Sequence, residues 1–281
     1  MVIRLDENAY GKNAINLSKV LRYPDRHEIR HISVNISLKG DFDTVHTHGD
    51  NTKVLPTDTM KNTVYALAKD QFTASIEEFG LCLVDHFLSN NPQVKEVKAS
   101  LTEHAWQRMS FDGTPHPHSF VNGGTEKHEA IVTRNRQDLV LSSGIKDLLI
   151  LKTTDSGFEN YIKDKYTTLK ETADRIFSTQ ADINWTYDGL PSNPSRLYTD
   201  IRDRLLQTFA THKSLSVQHT LYAMGEDVLK NFAPVKEITL KMPNKHHILF
   251  NLQQFGADNN NEVFIATDEP YGFITGTLSR S

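Results

Sequence analysis

The chain has 281 residues, 31 of them basic and 35 acidic, for a formal net charge of −4. Such a length supports a large core and two domains, while the near balance of charge, without a Lys/Arg-rich block, lacks the electrostatic footprint of a nucleic-acid binder. No apolar run is long enough to span a bilayer, and the single Cys82 excludes an intramolecular disulfide or a thiolate zinc cage.

In chain order, the first clear element runs from His31 to Gly40. Ile32, Val34, Ile36 and Leu38 alternate there with Ser33, Asn35, Ser37 and Lys39, the pattern of a half-buried antiparallel strand. Ile15, Leu17 and Leu21 supply its hairpin partner. From Asp58 to about Asp70, Met60, Val64 and Leu67 share one helical face, with Thr57 or Asp58 as the N-cap. Ser75 stands three residues before Glu78, a capping box. It opens a second helix carrying Ile76, Phe79, Leu83 and Phe87. Val97, Ala99 and Leu101 make a third strand, and Glu129 to Thr133 a fourth.

The same order then recurs. Leu139 to Lys152 reads as a strand pair turning at Gly144, Ser195 caps a helix with Leu197, Ile201, Leu205 and Phe209, Ser216 precedes another helix, and Val235 to Met242 alternates. The second helix and following strand of each half align without gaps at an offset of 217 − 76 = 141: Ile76 falls on Val217, Leu88 on Leu229, Asn90 on Asn231, and Val94 on Val235. Duplication accounts for both the offset and the repeated order. The expected class is therefore α+β, with domains at 1–136 and 137–281, each a four-stranded antiparallel sheet with two helices on one face. Such sheets have open edges, and pairing them into a barrel between subunits favours a symmetric homo-oligomer.

Several residues could carry chemistry. Lys12 follows Gly11 just before a strand, and a lysine becomes a base near neutral pH only where its surroundings favour the neutral form. Thr57 and Asp58 begin a helix, whose unpaired N–H groups attract an anion. Phe158 offers a ring for stacking, Arg175 a fork of donors at the end of a helix-like stretch, and Gln218 a carboxamide at a helix start. Asn244 and His246 follow Pro243 where the chain turns. Each has an ordinary structural alternative: solvated lysine, N-cap, core ring, surface ion pair or turn former. A rival set is histidine-rich. His46/His48 and His116/His118 are H-x-H pairs, which on a strand share a face and can chelate a metal, with His104 also available. No phosphate loop or dinucleotide fingerprint occurs.

Taken together, Tyr10-Gly11-Lys12, Thr57 through Thr63, His116-Pro117-His118-Ser119-Phe120, Lys165 through Arg175 and Pro243-Asn244-Lys245-His246 resemble the urate oxidase (uricase) family over nearly the whole chain. The resemblance implies tandem tunnelling-fold (T-fold) domains and homotetramers built from stacked barrels, with active sites between subunits. It implies oxidation of urate by dioxygen and water to 5-hydroxyisourate and hydrogen peroxide, with no metal and no organic cofactor. Carried over residue by residue, Arg175 and Gln218 clamp urate, Phe158 stacks under it, and Thr57, Asp58 and Val217 complete its recognition. Lys12 and Thr57 form a proton-relay dyad with His246 beside Lys12, and Thr57 and Asn244 hold dioxygen and then water. Competing readings are a zinc-dependent purine or pterin hydrolase using the H-x-H pairs, and a purine-binding protein without catalysis. Met1 through Asp6 has no signal-like apolar region and the terminal Leu278-Ser279-Arg280-Ser281 is not a Ser-Lys-Leu tail. The expected location is the cytoplasm, with the peroxisome as the alternative.

Overall fold

A computed structural model describes residues 3–280. The chain forms two compact units, one of Met1–Gly144 with Thr186–Tyr198, the other of Ile145–Trp185 with Thr199–Ser281. Among the described residues no helix is long and apolar enough to cross a membrane.

In the first unit, β1 (Tyr10–Arg22), β2 (His27–Gly40), β3 (Val94–Phe111) and β4 (Thr114–Asn135) pair antiparallel in that order. The expected alternation sets the register. Ile15 lies opposite Val34 and Leu17 opposite Ile32, and Ile32, Val34, Ile36 and Leu38 are all buried. A short α1 (Asp43–His48), α2 (Thr57–Gln71) and α3 (Ile76–Asn90) follow β2. The capping box is present at α3: Ser75 Oγ accepts from the Glu78 N–H, and the Glu78 carboxylate accepts from the Ser75 N–H. Ile76, Phe79, Leu83 and Phe87 are buried, as their spacing predicts, and α3 packs on β3 and β4.

The second unit contains most of β5 (Leu139–Lys152) and β6 (Phe177–Tyr187), with β7 (Val235–Lys241) and β10 (Thr275–Ser279) continuing the order β5-β6-β7-β10. Two further strands, β8 (Asn244–Leu249) and β9 (Phe264–Gly272), pair with each other, and β8 also pairs with β6. Its helices are α4 (Pro194–Thr211) and α5 (Val217–Asn231), the latter packed on β7 and β10. α3 and α5 each span 15 residues, and their ends coincide at the 141-residue offset.

Several local expectations are corrected. Gly144 is not a turn: β5 is one 14-residue strand, and its sequence-adjacent partner is β6, 25 residues beyond. Neither Thr57 nor Asp58 is the N-cap of α2. Pro56 occupies that position, with extended ψ and no side-chain cap bond. α4 starts at Pro194, and the Arg196 N–H is accepted by Asn193 Oδ1 at 2.9 Å, so Asn193 does the capping assigned to Ser195. The stretch ending at Arg175 is not helical but an irregular excursion between β5 and β6. β3 and β4 run far past Leu101, to a tight turn at Asp112-Gly113 where both residues have positive φ, the Asp-Gly hairpin geometry.

Candidate active site

Lys12, Thr57 and Asp58 lie in the first unit, on elements tied together locally. Lys12 is half-buried on β1 opposite Ile36. Immediately after it the strand bulges: the register shifts between Lys12 and Ile15, Ala14 takes φ 55°, and the Ala14 N–H donates to Asn35 Oδ1 at 2.7 Å. A bulge re-aims its neighbours, a device common beside functional sites. Gly11 is required at this point, since a Cβ there would lie 1.8 Å from the Ile36 carbonyl oxygen. Two residues before Lys12, the Tyr10 hydroxyl accepts from the Leu55 N–H at 2.9 Å, two residues before Thr57. Tyr10 is itself braced edge-on against buried Phe42. One side chain thus ties the base of the Lys12 strand to the entrance of α2.

Thr57 is the first helical residue of α2, and the first intrahelical bond runs from the Met60 N–H to the Pro56 carbonyl. The helix itself leaves the N–H groups of Thr57, Asp58 and Thr59 unpaired, an anion-favouring arrangement. The Lys61 ammonium, hydrogen-bonded to Asp58, holds that carboxyl below the usual carboxylate range; Asn62 and the field of Lys12 act in the same direction.

Phe158, Arg175, Val217, Gln218, Asn244 and His246 lie in the second unit. Phe158, Arg175 and His246 line one pocket of about 390 Å³, with Leu169, Thr172 and His247 among their neighbours. The Arg175 guanidinium sits 5.2 Å from the centroid of the Phe158 ring, a cation–π contact. Burial lowers its pKa, and its Nε is buried without a hydrogen-bond partner. A buried guanidinium donor left open is expensive unless a ligand completes it. Tyr161 stacks on Phe158 at 4.8 Å, nearly parallel, and is fixed by its own hydroxyl donating to the Leu169 carbonyl at 2.6 Å.

Val217 and Gln218 are the first two residues of α5, Val217 buried and Gln218 exposed. Ser216 caps the helix through the His219 N–H, so the helix leaves the Val217 and Gln218 N–H groups without intrahelical partners. Neither residue lines the pocket of Phe158 and Arg175, nor does Asn244. Asn244 opens β8 opposite Thr179 and Gly272, and a register shift separates it from His246. The Asn244 carboxamide nitrogen lies 3.5 Å from His246 Nδ1.

The histidine pairs are engaged in local hydrogen bonds and ring contacts. His46 and His48 stand on α1, not on a strand, where i and i+2 side chains do not share a face. His46 Nδ1 contacts the Phe42 carbonyl at 3.0 Å, and His48 Nδ1 lies 2.7 Å from Thr47 Oγ1. His116 and His118 do share a strand, with rings 4.6 Å apart, but His116 Nδ1 accepts from the His118 N–H. His104 stacks on His31. Among the described residues no three His, Cys, Asp or Glu side chains converge as a metal-binding group.

Sequence reasoning assigned no role to Tyr10, Tyr161, Asp174 or His247. Tyr161 and Asp174 sit in the 153–176 excursion, where no periodicity operates. The only sequence signal for Tyr10 was its place beside Gly11-Lys12.

The family model described as Uricase matches residues 8–133 and 141–275. The uricase of Arthrobacter globiformis is 41% identical over 98% of this chain and 90% of its own length. That of Dictyostelium discoideum is 39% identical over 99% and 98%. A crystal structure of Arthrobacter globiformis uricase superposes with a TM-score of 0.94 at 40% identity, covering 100% of this chain and 96% of that one.

Proposed function

The chain belongs to the uricase family, and we infer from that membership that it is a urate oxidase, converting urate, dioxygen and water to 5-hydroxyisourate and hydrogen peroxide. The observation that carries the reading to this chain's own residues is the Phe158–Arg175 pair. A flat aromatic platform with a half-buried guanidinium whose Nε is unpartnered suits a planar, anionic, oxygen-rich ring.

In this reading Arg175 and Gln218 hold opposite edges of urate, Phe158 stacks beneath it, and Val217, Thr57 and Asp58 complete the contacts through backbone and side chain. Lys12 and Thr57 relay protons, with His246 beside them, and Thr57 and Asn244 hold first dioxygen and then water. Deprotonated urate is electron-rich enough to reduce dioxygen directly, so the protein supplies deprotonation, orientation and exclusion of bulk water rather than a metal or flavin. A hydroperoxide forms at ring carbon 5, peroxide departs, and water adds in its place. Each active site combines Lys12, Thr57 and Asp58 of one subunit with the second-unit residues of another, in a homotetramer. The proposed domain boundary at 136/137 falls in the turn in which the Asn135 N–H donates to the Asp138 carbonyl, eight residues before the division between the two compact units, and the cytoplasm is the proposed location.

Chelator-treated protein incubated with urate in air-saturated buffer is expected to release one peroxide per urate lost, followed by absorbance and a peroxide assay together. Urate loss without peroxide would overturn the oxidase reading in favour of hydrolysis. Arg175→Gln is expected to raise KM for urate by roughly 10- to 100-fold, the worth of a charge-assisted hydrogen bond, with a smaller change in kcat. A KM unchanged from wild type would remove Arg175 from substrate recognition.

A further inference from the structure

The 153–176 excursion has no regular secondary structure, yet it must hold the Phe158 ring and the Arg175 guanidinium in a fixed relation. Backbone contacts supply part of the answer. Phe158 and Thr172 exchange hydrogen bonds at 2.8 and 3.2 Å. On the other side, Gly157 N–H donates to the Ser214 carbonyl and Ser214 N–H to the Asp155 carbonyl, both at 2.8 Å, while Ser214 Oγ donates to the Ser216 carbonyl at the start of α5. The segment around Phe158 is thereby laced to the loop before Val217 and Gln218.

On the Arg175 side, the side-chain tie is Asp174. Its Oδ2 accepts from the Thr154 hydroxyl at 2.8 Å and its Oδ1 from the Ser156 N–H at 3.3 Å. Its carbonyl accepts from the Thr172 hydroxyl at 2.6 Å. Both carboxylate oxygens therefore reach from the residue before Arg175 to the segment that delivers Phe158, two residues past Ser156. An aspartate adjacent in sequence to an arginine is an obvious ion-pair partner for it, yet among the described residues no hydrogen bond or salt bridge joins Asp174 to Arg175. Thr154 and Ser156 occupy the carboxylate, and the guanidinium fork stays open toward its pocket.

We propose that Asp174 is a positioning residue for urate recognition: it fixes the Phe158 ring relative to the Arg175 guanidinium and, by being engaged with Thr154 and Ser156, keeps that guanidinium available. The assignment rests on the urate reading of the same pocket, and two measurements separate them. Wild-type urate turnover tests the reading. Anaerobic urate titration and steady-state kinetics of Asp174 variants test the inference, because binding without dioxygen isolates recognition from chemistry.

Asp174→Ala frees both Thr154 and the Ser156 N–H. It is expected to raise KM, and the anaerobic Kd, by roughly 10-fold or more with kcat lowered less than threefold, the signature of lost uniform binding. Asp174→Asn can still accept from the Ser156 N–H and donate to the Thr154 hydroxyl, so it is expected to restore KM to within about threefold of wild type. Thr154→Val removes one strut and is expected to fall between them. If Asp174→Ala folds with a wild-type melting profile and unchanged KM, the inference is wrong. It is equally wrong if Asp174→Asn is as impaired as Asp174→Ala, since geometry would then not be the property that matters. If Asp174→Ala does not fold, Thr154→Val decides: unchanged urate affinity overturns the proposal and a raised KM supports it.

Discussion

Lys12→Met is expected to lower urate turnover by about 10²- to 10⁴-fold, the range contributed by a positioned general base, while anaerobic urate binding stays near wild type. Methionine keeps most of the unbranched apolar stem of lysine, so the β1 bulge and the Tyr10–Leu55 tie, neither of which uses the ammonium, remain in place. The expected separation of kcat from binding follows from the roles proposed for these residues. Lys12 stands on a strand of the first unit, and the stacking ring and guanidinium stand in the second. Thr57→Ala is expected to act on the same step. The double variant should therefore be little worse than the worse single one, the non-additivity of residues that work as a unit. Wild-type kcat in Lys12→Met would end the proton-relay assignment, and fully multiplicative effects would place Lys12 and Thr57 in separate steps.

His128→Ala is expected to destabilise the protein by about 3–5 kcal/mol, the cost of leaving a buried charge without its partner. Glu77, at the second position of α3, is fully buried. Its Oε1 accepts from His128 Nε2 at 2.8 Å and from the Ser143 hydroxyl at 2.5 Å, while its Oε2 has no partner. The His128 ring also stacks on Tyr198 at a centroid distance of 3.6 Å. Burial pushes the Glu77 carboxyl upward, but the hydrogen bond and charge of His128, with the Ser143 hydroxyl, outweigh it and hold the group below its ordinary value of 4.5. A carboxyl depressed on folding stabilises the native state above its unfolded pKa, and that contribution disappears as pH falls through the lower folded value. The difference between wild type and His128→Ala should therefore be full at pH 7 and shrink below about pH 4. In thermal melts the neutral-pH loss corresponds to on the order of 10 °C. A variant melting within 2 °C of wild type at pH 7, on that scale far less than 3 kcal/mol, would show that Glu77 does not depend on His128.

Much of the first unit was legible because its strands and helices bury one face each. The alternation of Ile32 to Leu38 and the Ser75/Glu78 box are local signals that tertiary structure only reinforces. The extensions of β3 and β4 were not legible, because Trp106, Gln107 and Phe111 are exposed and neither face of that hairpin writes an apolar period. β6 was missed because Thr179 occupies an inward position, breaking the apolar run that its other inward residues make. At α2 and α4 prolines stand at the starts: Pro56 occupies the cap position of one, and Pro194 begins the other directly after the Asn193 cap. The site residues could be picked out by motif, but what positions them could not. Asp174 and Tyr161 act inside an irregular segment, where sequence spacing predicts no shared face.

The 141-residue offset has one further consequence. It superposes Glu77 on Gln218, since 218 − 77 = 141, each the second residue of its helix and each following a serine cap. The two copies of this helix entrance have diverged into opposite trades. One has been sealed with the protein's own histidine and hydroxyl, a plug that answers its polar group from within. The other remains open to solvent with its carboxamide exposed. At this helix entrance the two halves of the chain are therefore unlike: one is closed by the protein's own side chains and the other presents a carboxamide to solvent.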